Sequence, residues 1–396
     1  MADWQKLEKK YLMGTFKRLP VTIVKGKGAR VWDEDGNEYL DFLGGLAVDV
    51  LGHSHPVVVN AVAKQARELI QTSNLVYTVP QVKLAKLMVE NSCLDKVFFC
   101  NSGSEACEGA VKLARRYGKL HRKGAWEVIT ATKSFHGRTL AMTAATGQHK
   151  FQEPYVPLPD GFVNVLYDSI DAIKKATTDK TCAIMMEPIQ GEGGVNVPAD
   201  DYLKKVRSWC DKKGILLILD EIQTGIGRAG SLFAYEQYGV EPDIITLAKG
   251  LGGGVAIGAF MAKDEVSVFE PGEHGSTFGG NPLACAAGYA TISYMLKNGV
   301  IDNCHTVGDY LAKSISGLKK KSPLVVGVRG RGLLLAMELS RDVSSDLVME
   351  CLKEGLILNP VLPNAVRFVP PLIITKDDVD EAMEIVKKVL ARMGKK

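Results

Sequence analysis

Two short apolar runs, each ending on a charged residue, constrain this chain more than any other feature. Ile215–Leu219 is wholly hydrophobic and is followed by Asp220; Ile244–Ala248 leads in the same way into Lys249. Short runs rich in Ile and Leu, bounded by glycine and charge, read as strands buried on both faces of a parallel sheet. In open α/β sheets ligands bind just outside the carboxyl ends of such strands. The two runs therefore deliver one acid and one amine to the place where a ligand sits.

That pairing has a specific chemical use. A lysine amine forms a Schiff base with an aldehyde cofactor, and a carboxylate keeps a pyridine nitrogen protonated. Pyridoxal phosphate needs both groups. Simpler readings exist locally: a lysine after a strand is commonly a solvated loop residue, and Asp220-Glu221 fits a plain turn. Gly225–Gly230 also matches G-x-G-x-x-G, a dinucleotide fingerprint when it directly follows a strand and opens a helix. Here two acids separate strand from glycines and would repel a pyrophosphate, and no apolar helix follows at once. The rest of the chain decides between these readings.

At 396 residues the chain is long for a single core, which predicts two domains. Charged residues make up 24% and the net charge is +4 with signs interspersed, so no nucleic-acid patch is implied. Eight cysteines are dispersed without a C-x-x-C pair; the even spacing of Cys93, Cys100 and Cys107 straddles a strand and a helix and is read as coincidence. This usage predicts reduced thiols in a cytoplasm. The first residues, MADWQKLEKKYLMG, contain no signal-like apolar stretch, and no run is long enough to span a membrane.

Taken in order, residues 1–50 predict a short helix and a β meander with a turn at Asp35-Gly36-Asn37. His53 and His55 are too few to make a metal site, and none is expected. Pro56 opens a helix to about Gln71, and Pro80 opens another. The strand VFFC, the polar turn NSGSEA and an amphipathic helix then form a strand–turn–helix unit. Its helix N-terminus suits a phosphate, although an ordinary N-cap at Ser102 or Ser104 explains the same residues. EVITATKSFHGRT (127–139) repeats the pattern, offering Phe135 as an aromatic face and Arg138 as a carboxylate fork. AIMMEPIQGEGG carries Glu187 and Glu192 into a glycine-rich turn. Alternating strands and helices over about 100–265 predict a doubly wound, mostly parallel sheet. Residues 324–396 change character to short strands and two helices, an α+β unit. The expected division is an N-terminal segment 1–50 packing with the small domain, a large cofactor-binding domain 51–300, and a small C-terminal domain 301–396.

With these residues in hand, the sequence resembles the class III (ω-amino acid) aminotransferases of PLP fold type I. The likeness covers nearly the whole chain: YLDFLGGLAVDVLGHSHP, NSGSEACEGAVKLAR, SFHGRT, EPIQGEGG, LDEIQTGIGRAG, LAKGLGGG, HGSTFGGNPLACAA and RFVPPLII occur in order. The resemblance implies transfer of the ω-amine of N-acetylornithine to 2-oxoglutarate, a step of arginine biosynthesis, giving N-acetylglutamate semialdehyde and glutamate. Ornithine, succinylornithine, succinyl-diaminopimelate and 4-aminobutyrate remain open as donors. It further implies that Lys249 bonds the cofactor and moves the proton, that Asp220 binds the pyridine nitrogen, and that Phe135 stacks on the ring. Gln223 would lie near the phenolic oxygen, with Glu221 and Ile222 in the same cofactor-binding stretch. Gly103 and Ser104 would bind the phosphate, with Thr277 reaching it from the other subunit of a homodimer with shared sites and Ser276 near the substrate. Arg138 would hold the carboxylate remote from the reacting amine. Arg367 would take the α-carboxylate of the oxoacid, with Glu192 pairing Arg367 when the substrate has none.

Departures from the family pattern are few. Ser104 stands where many relatives have Thr, Ala256 where they commonly have Pro, and His136 where ornithine-specific members have Trp. A non-catalytic cofactor-binding protein, the contrasting class, would lack the lysine or the carboxylate arginines; all are present.

Overall fold

The computed structural model describes residues 3–394. Strands β1 (Ile23–Lys27), β2 (Arg30–Asp33) and β3 (Glu38–Asp41) form an antiparallel meander near the N-terminus. The middle of the chain supplies β4 (Lys96–Cys100), β5 (Glu127–Ala131), β6 (Phe162–Val165), β7 (Thr181–Met186), β8 (Leu216–Asp220), β9 (Ile244–Leu247) and β10 (Gly258–Ala262). These make one seven-stranded sheet in the order β4-β10-β9-β8-β7-β5-β6. From β9 to β6 all neighbours are parallel, as the alternation of runs and helices predicts. β10 is antiparallel to both β9 and β4. Residues 248–257 are too short to carry a parallel crossover, which needs a dozen or more, so the chain turns back beside β9.

Every residue of β7, β8, β9 and β10 is buried. Each fully hidden Leu or Ile contributes about 1.5–3 kcal/mol. The helix Gly103–His121 covers one face of this sheet, burying Ala106, Cys107, Ala110, Leu113 and Ala114. Its 3.6-residue apolar stripe is what the sequence displays. The cost of hiding so many apolar residues is that the polar residues closing the strands, Asp220 above all, are drawn inside with them.

The C-terminal part builds β11 (Val325–Arg331), β12 (Leu334–Leu339), β13 (Leu356–Ile357), β14 (Asn359–Leu362) and β15 (Ala365–Phe368). Four of these form the sheet β11-β12-β15-β14, while β13 leaves it to pair parallel with β3. That pairing joins the N-terminal meander to the C-terminal part and is not readable in the sequence, because two residues display no periodicity. The helix opened by Pro56 ends at Glu68 rather than near Gln71, since Leu69 is already extended (φ −164, ψ 119). Among the described residues no helix is long and apolar enough to cross a membrane.

Candidate active site

The carboxyl ends of β4, β5, β7, β8 and β9 converge on one cavity of about 320 Å³, closed on the far side by the link into β10. Each strand contributes through the residues that follow it. After β4 come Asn101–Ser104, after β5 Phe135–Gly137, after β7 Glu187 and Glu192, and after β9 Ala248 and Lys249; β8 ends on Asp220 itself.

Asp220 is 3% exposed and fully engaged. Its carboxylate accepts from His136 Nδ1 at 2.7 Å and from Thr246 Oγ1 at 3.1 Å, and the Cys107 thiol lies at 3.4 Å. Burial disfavours the His136 imidazolium, but the bond and charge of Asp220 prevail and raise its pKa. The ring's other nitrogen, Nε2, is buried without a partner among the described residues. Cys107, His136 and Asp220 also present three potential metal-ligand atoms within 4.8 Å of one another. Burial and the neighbouring Asp220 push the Cys107 thiol well above its usual range, so it holds its proton, and a protonated thiol is a poor ligand.

Lys249 lies one residue beyond Ala248, which follows β9, and sits at φ 41, in the left-handed region that residues other than glycine seldom adopt. Burial lowers its pKa from 10.5, with Glu192 opposing and Arg367 reinforcing the shift. Glu187 is 5% exposed. It accepts from the amides of Phe135 and Gly191, both at 3.2 Å, and burial with Asp220 nearby raises its pKa to about 8.

A second polar group closes another side. Arg367, 1% exposed, donates to Glu192 at 2.7 Å, to Gln223 Oε1 at 2.8 Å and to Asn359 Oδ1 at 2.7 and 3.1 Å. Gln223 Nε2 in turn reaches Glu192 at 3.0 Å. Burial alone would raise the Glu192 carboxyl; Arg367 and then Lys249 overcome it and hold it at about 2. At the opposite end, Ser102 caps the helix Gly103–His121 by accepting from the Glu105 amide. The amides of Gly103 and Ser104 precede the first intrahelical bond, and both residues line the cavity. Gly103 lies against Ile222, and Ser104 Oγ accepts from the Arg138 amide.

The structure thus gathers Lys249, Asp220, Phe135, Gly103, Ser104, Ile222, Gln223 and Glu192 around one cavity, with Arg367 joined through Glu192. Glu221 is not brought there: its carboxylate turns away and accepts from the amides of Ala234 and Tyr235. Arg138 is exposed, its guanidinium 4.2 Å from the Phe151 ring centre. Ser276 touches the site through Asn101, whose Nδ2 donates to its Oγ at 3.1 Å. Thr277 is exposed, and its carbonyl accepts from Gln71.

Sequence reasoning named His136 and Cys107 without joining them to Asp220, and it passed over Thr246 and, beside Arg367, Asn359. Thr246 had a readable signal, since a hydroxyl inside a buried apolar strand requires a partner. Asn359 had none.

A family model described as aminotransferase class-III matches residues 14–390. The chain is 51% identical over 387 residues to the acetylornithine aminotransferase of Caldanaerobacter subterraneus subsp. tengcongensis, covering 98% of both chains. It is 48% identical over 395 residues to the acetylornithine aminotransferase of Methanocaldococcus jannaschii, covering 99% of both. The solved ornithine aminotransferase of Toxoplasma gondii, with PLP at partial occupancy in its active site, superposes with a TM-score of 0.95 at 37% identity, over 100% of this chain and 96% of that one.

Proposed function

This chain belongs to the class-III aminotransferases, and from that premise we propose that it moves the ω-amine of N-acetylornithine to 2-oxoglutarate, within arginine biosynthesis. It is an aminotransferase that works with pyridoxal phosphate. The observation that carries the donor assignment is the full-length identity of 48–51% to acetylornithine aminotransferases.

The cavity suits the cofactor on its own evidence of charge and shape: a buried acid at one end, a buried amine beside it, an aromatic wall, and helix amides at the other end. Pyridoxal phosphate, when bound, supplies the carbonyl that receives the amine and the electron sink that acidifies the neighbouring C–H bond. On this reading Asp220, oriented by His136 and Thr246, keeps the pyridine nitrogen protonated. The Gly103 and Ser104 amides take the phosphate, and Phe135 covers the ring. Lys249, whose pKa burial lowers, removes and returns the proton at the amine-bearing carbon.

Two carboxylate sites follow for two substrates. We assign Arg138 to the carboxylate remote from the reacting amine and Arg367 to the α-carboxylate of 2-oxoglutarate. An ω-amine donor brings no carboxylate beside its reacting carbon, and an unpaired buried arginine there would be costly. Glu192 serves as the internal partner in that half of the cycle.

The active form on this reading is a homodimer sharing its sites. Leu75 is 94% and Tyr77 100% exposed, and Gln71 and Asn74 tie this segment to the carbonyls of Thr277 and Ser276. A second subunit covering this apolar surface would bring Thr277 to its own cofactor phosphate and Ser276 near the substrate. Residues 51–300 are then the large domain and 301–396 the small one, with the N-terminal segment 1–50 packing with the small domain.

A panel of amine donors with 2-oxoglutarate tests the assignment. N-acetylornithine should give the highest kcat/KM, above ornithine, succinylornithine, succinyl-diaminopimelate and 4-aminobutyrate. A clear preference for any other donor overturns it.

A further inference from the structure

His53 and the loop it serves have no part in the reading above. Between β3 and the helix Pro56–Glu68, the chain makes a tight loop whose Val48 lines the cavity. Gly44, Gly45, Leu46 and Ala47 have successive φ values of 51, 63, 64 and 67. Leucine and alanine hold such angles only where the surroundings impose them. Ala47 packs in an apolar cluster with Ile189 and Val369, and Gly44 lies against the Val369 carbonyl; the polar side chains at the turn are two acids and one imidazole. At the loop entrance Asp41 Oδ1 accepts from the amides of Leu43 at 2.8 Å and Gly44 at 3.0 Å, while its Oδ2 takes His53 Nε2 at 2.7 Å. At the loop exit, Asp49 Oδ2 lies 3.7 Å from His53 Nδ1. One ring therefore spans both ends of the strained turn. Behind it, the backbones of Gly28 and His53 exchange hydrogen bonds of 3.0 and 2.8 Å. Gly26 leaves the ring its space, since a Cβ there would lie 2.7 Å from His53 Cβ.

We propose that His53 is a positioning residue for donor binding: its imidazolium ties Asp41 to Asp49 and so holds Val48 at the cavity wall. The inference rests on the transaminase reading only for its kinetic readout. The groups facing this latch are few. The ring meets Asp41 from the end of β3 and Asp49 from the loop; β1 presents Gly26, which has no side chain. Burial raises the Asp49 carboxyl, with the charges of His53 and Arg228 opposing and that of Asp41 adding to the rise, and Gly254, another cavity-lining residue, lies against its Oδ1.

Only the charged ring carries a proton on both nitrogens, so only it attracts Asp49 across a 3.7 Å contact that is too long for a hydrogen bond. The neutral ring keeps the short bond to Asp41 and releases Asp49. The hydrogen bond to Asp41 raises the His53 pKa, burial opposes it, and the charges of Asp49 and Asp41 add to the rise. A raised histidine pKa means that the hold is complete below the ordinary value and is lost as pH climbs through the folded one. KM for the donor should therefore step upward across that pH, while kcat, set by groups elsewhere in the cavity, does not follow.

The test pairs Asp49→Asn, which keeps the shape and removes the charge, with His53→Gln. Isotope-labelled histidine in the holoenzyme, assigned by the signal missing from His53→Gln, reports the His53 titration by NMR without any substrate. Asp49→Asn should lower that pKa, raise the KM of the best donor several-fold near neutral pH, flatten the KM step and leave kcat within about twofold. An unchanged titration, or a KM step that survives in Asp49→Asn, overturns the latch. Because the kinetics use whichever donor leads the panel, a failed N-acetylornithine assignment leaves this result readable.

Discussion

Replacing Glu192 with Gln isolates the polar gate of the cavity. Arg367 is 1% exposed and its carboxylate partner lies 2.7 Å away. A carboxyl titrating at about 2 instead of 4.5 is held by about 3 kcal/mol, at about 1.36 kcal/mol per pKa unit. The Glu192 side chain is 28% exposed, so water screens part of this, and about 2–3 kcal/mol is the working figure. It meets the lower end of the about 3–5 kcal/mol expected when a buried pair loses one partner, as befits an amide that still offers Arg367 a carbonyl. The donor half-reaction should therefore slow by roughly 30- to 150-fold in its apparent second-order constant. The half-reaction with 2-oxoglutarate should be nearly unaffected or faster, because the incoming α-carboxylate supplies the missing charge. Single-turnover absorbance changes of the cofactor separate the two. The same figure predicts urea stability. A depressed carboxyl pKa stabilises fully above the unfolded value and loses that contribution as pH falls toward the folded one. The gap between wild type and Glu192→Gln should be complete near neutral pH and narrow below about pH 4.5. Equal losses in both half-reactions, together with an unchanged urea midpoint at neutral pH, would refute the reasoning.

Lys249→Ala should abolish the cofactor's characteristic absorbance shift on binding and slow turnover by several orders of magnitude, because it deletes both the bonding amine and the base; near-normal single-turnover rates would contradict this. Gly137→Ala places a Cβ against Ser104 Oγ at a φ of 140, where only glycine is at ease. It should weaken cofactor retention by about 1–3 kcal/mol, read as a raised Kd in equilibrium dialysis, and an unaltered Kd would exclude strain at this turn. Mixing inactive Lys249→Ala with inactive Thr277→Arg subunits should restore part of the activity, since one composite site is then intact; exchanged subunits with no recovered activity would rule out shared sites.

The parts of this molecule legible in the sequence are those governed by local periodicity. β8 and β9 announce themselves as apolar runs, and the residues that end them reach the cavity because parallel strands all open on one side. The helix Gly103–His121 is readable from its stripe and its Ser102 cap. What stayed hidden depends on neighbours distant in sequence. His136 was visible as a motif residue, but its bond to Asp220 arises only once β5 and β8 share a sheet. Asn359 meets Arg367 through the register of β14 on β15, which no spacing encodes. Glu221, adjacent to Asp220, alternates to the opposite side and caps the turn at Ala234, as strand geometry requires of consecutive residues.

The parallel pairing of β13 with β3 has a consequence for how the chain is made. Leu40 finds its partner in Leu356, so the N-terminal meander leaves the ribosome long before the strand that completes its sheet. At roughly 5–20 residues per second, the open edge of β3 waits about 15–60 s for synthesis to catch up. Throughout that interval its backbone amides and carbonyls are available to any extended segment nearby. Nascent chains halted before residue 356 should therefore carry an unsealed meander, open to protease and to chaperone, around an already folded central sheet.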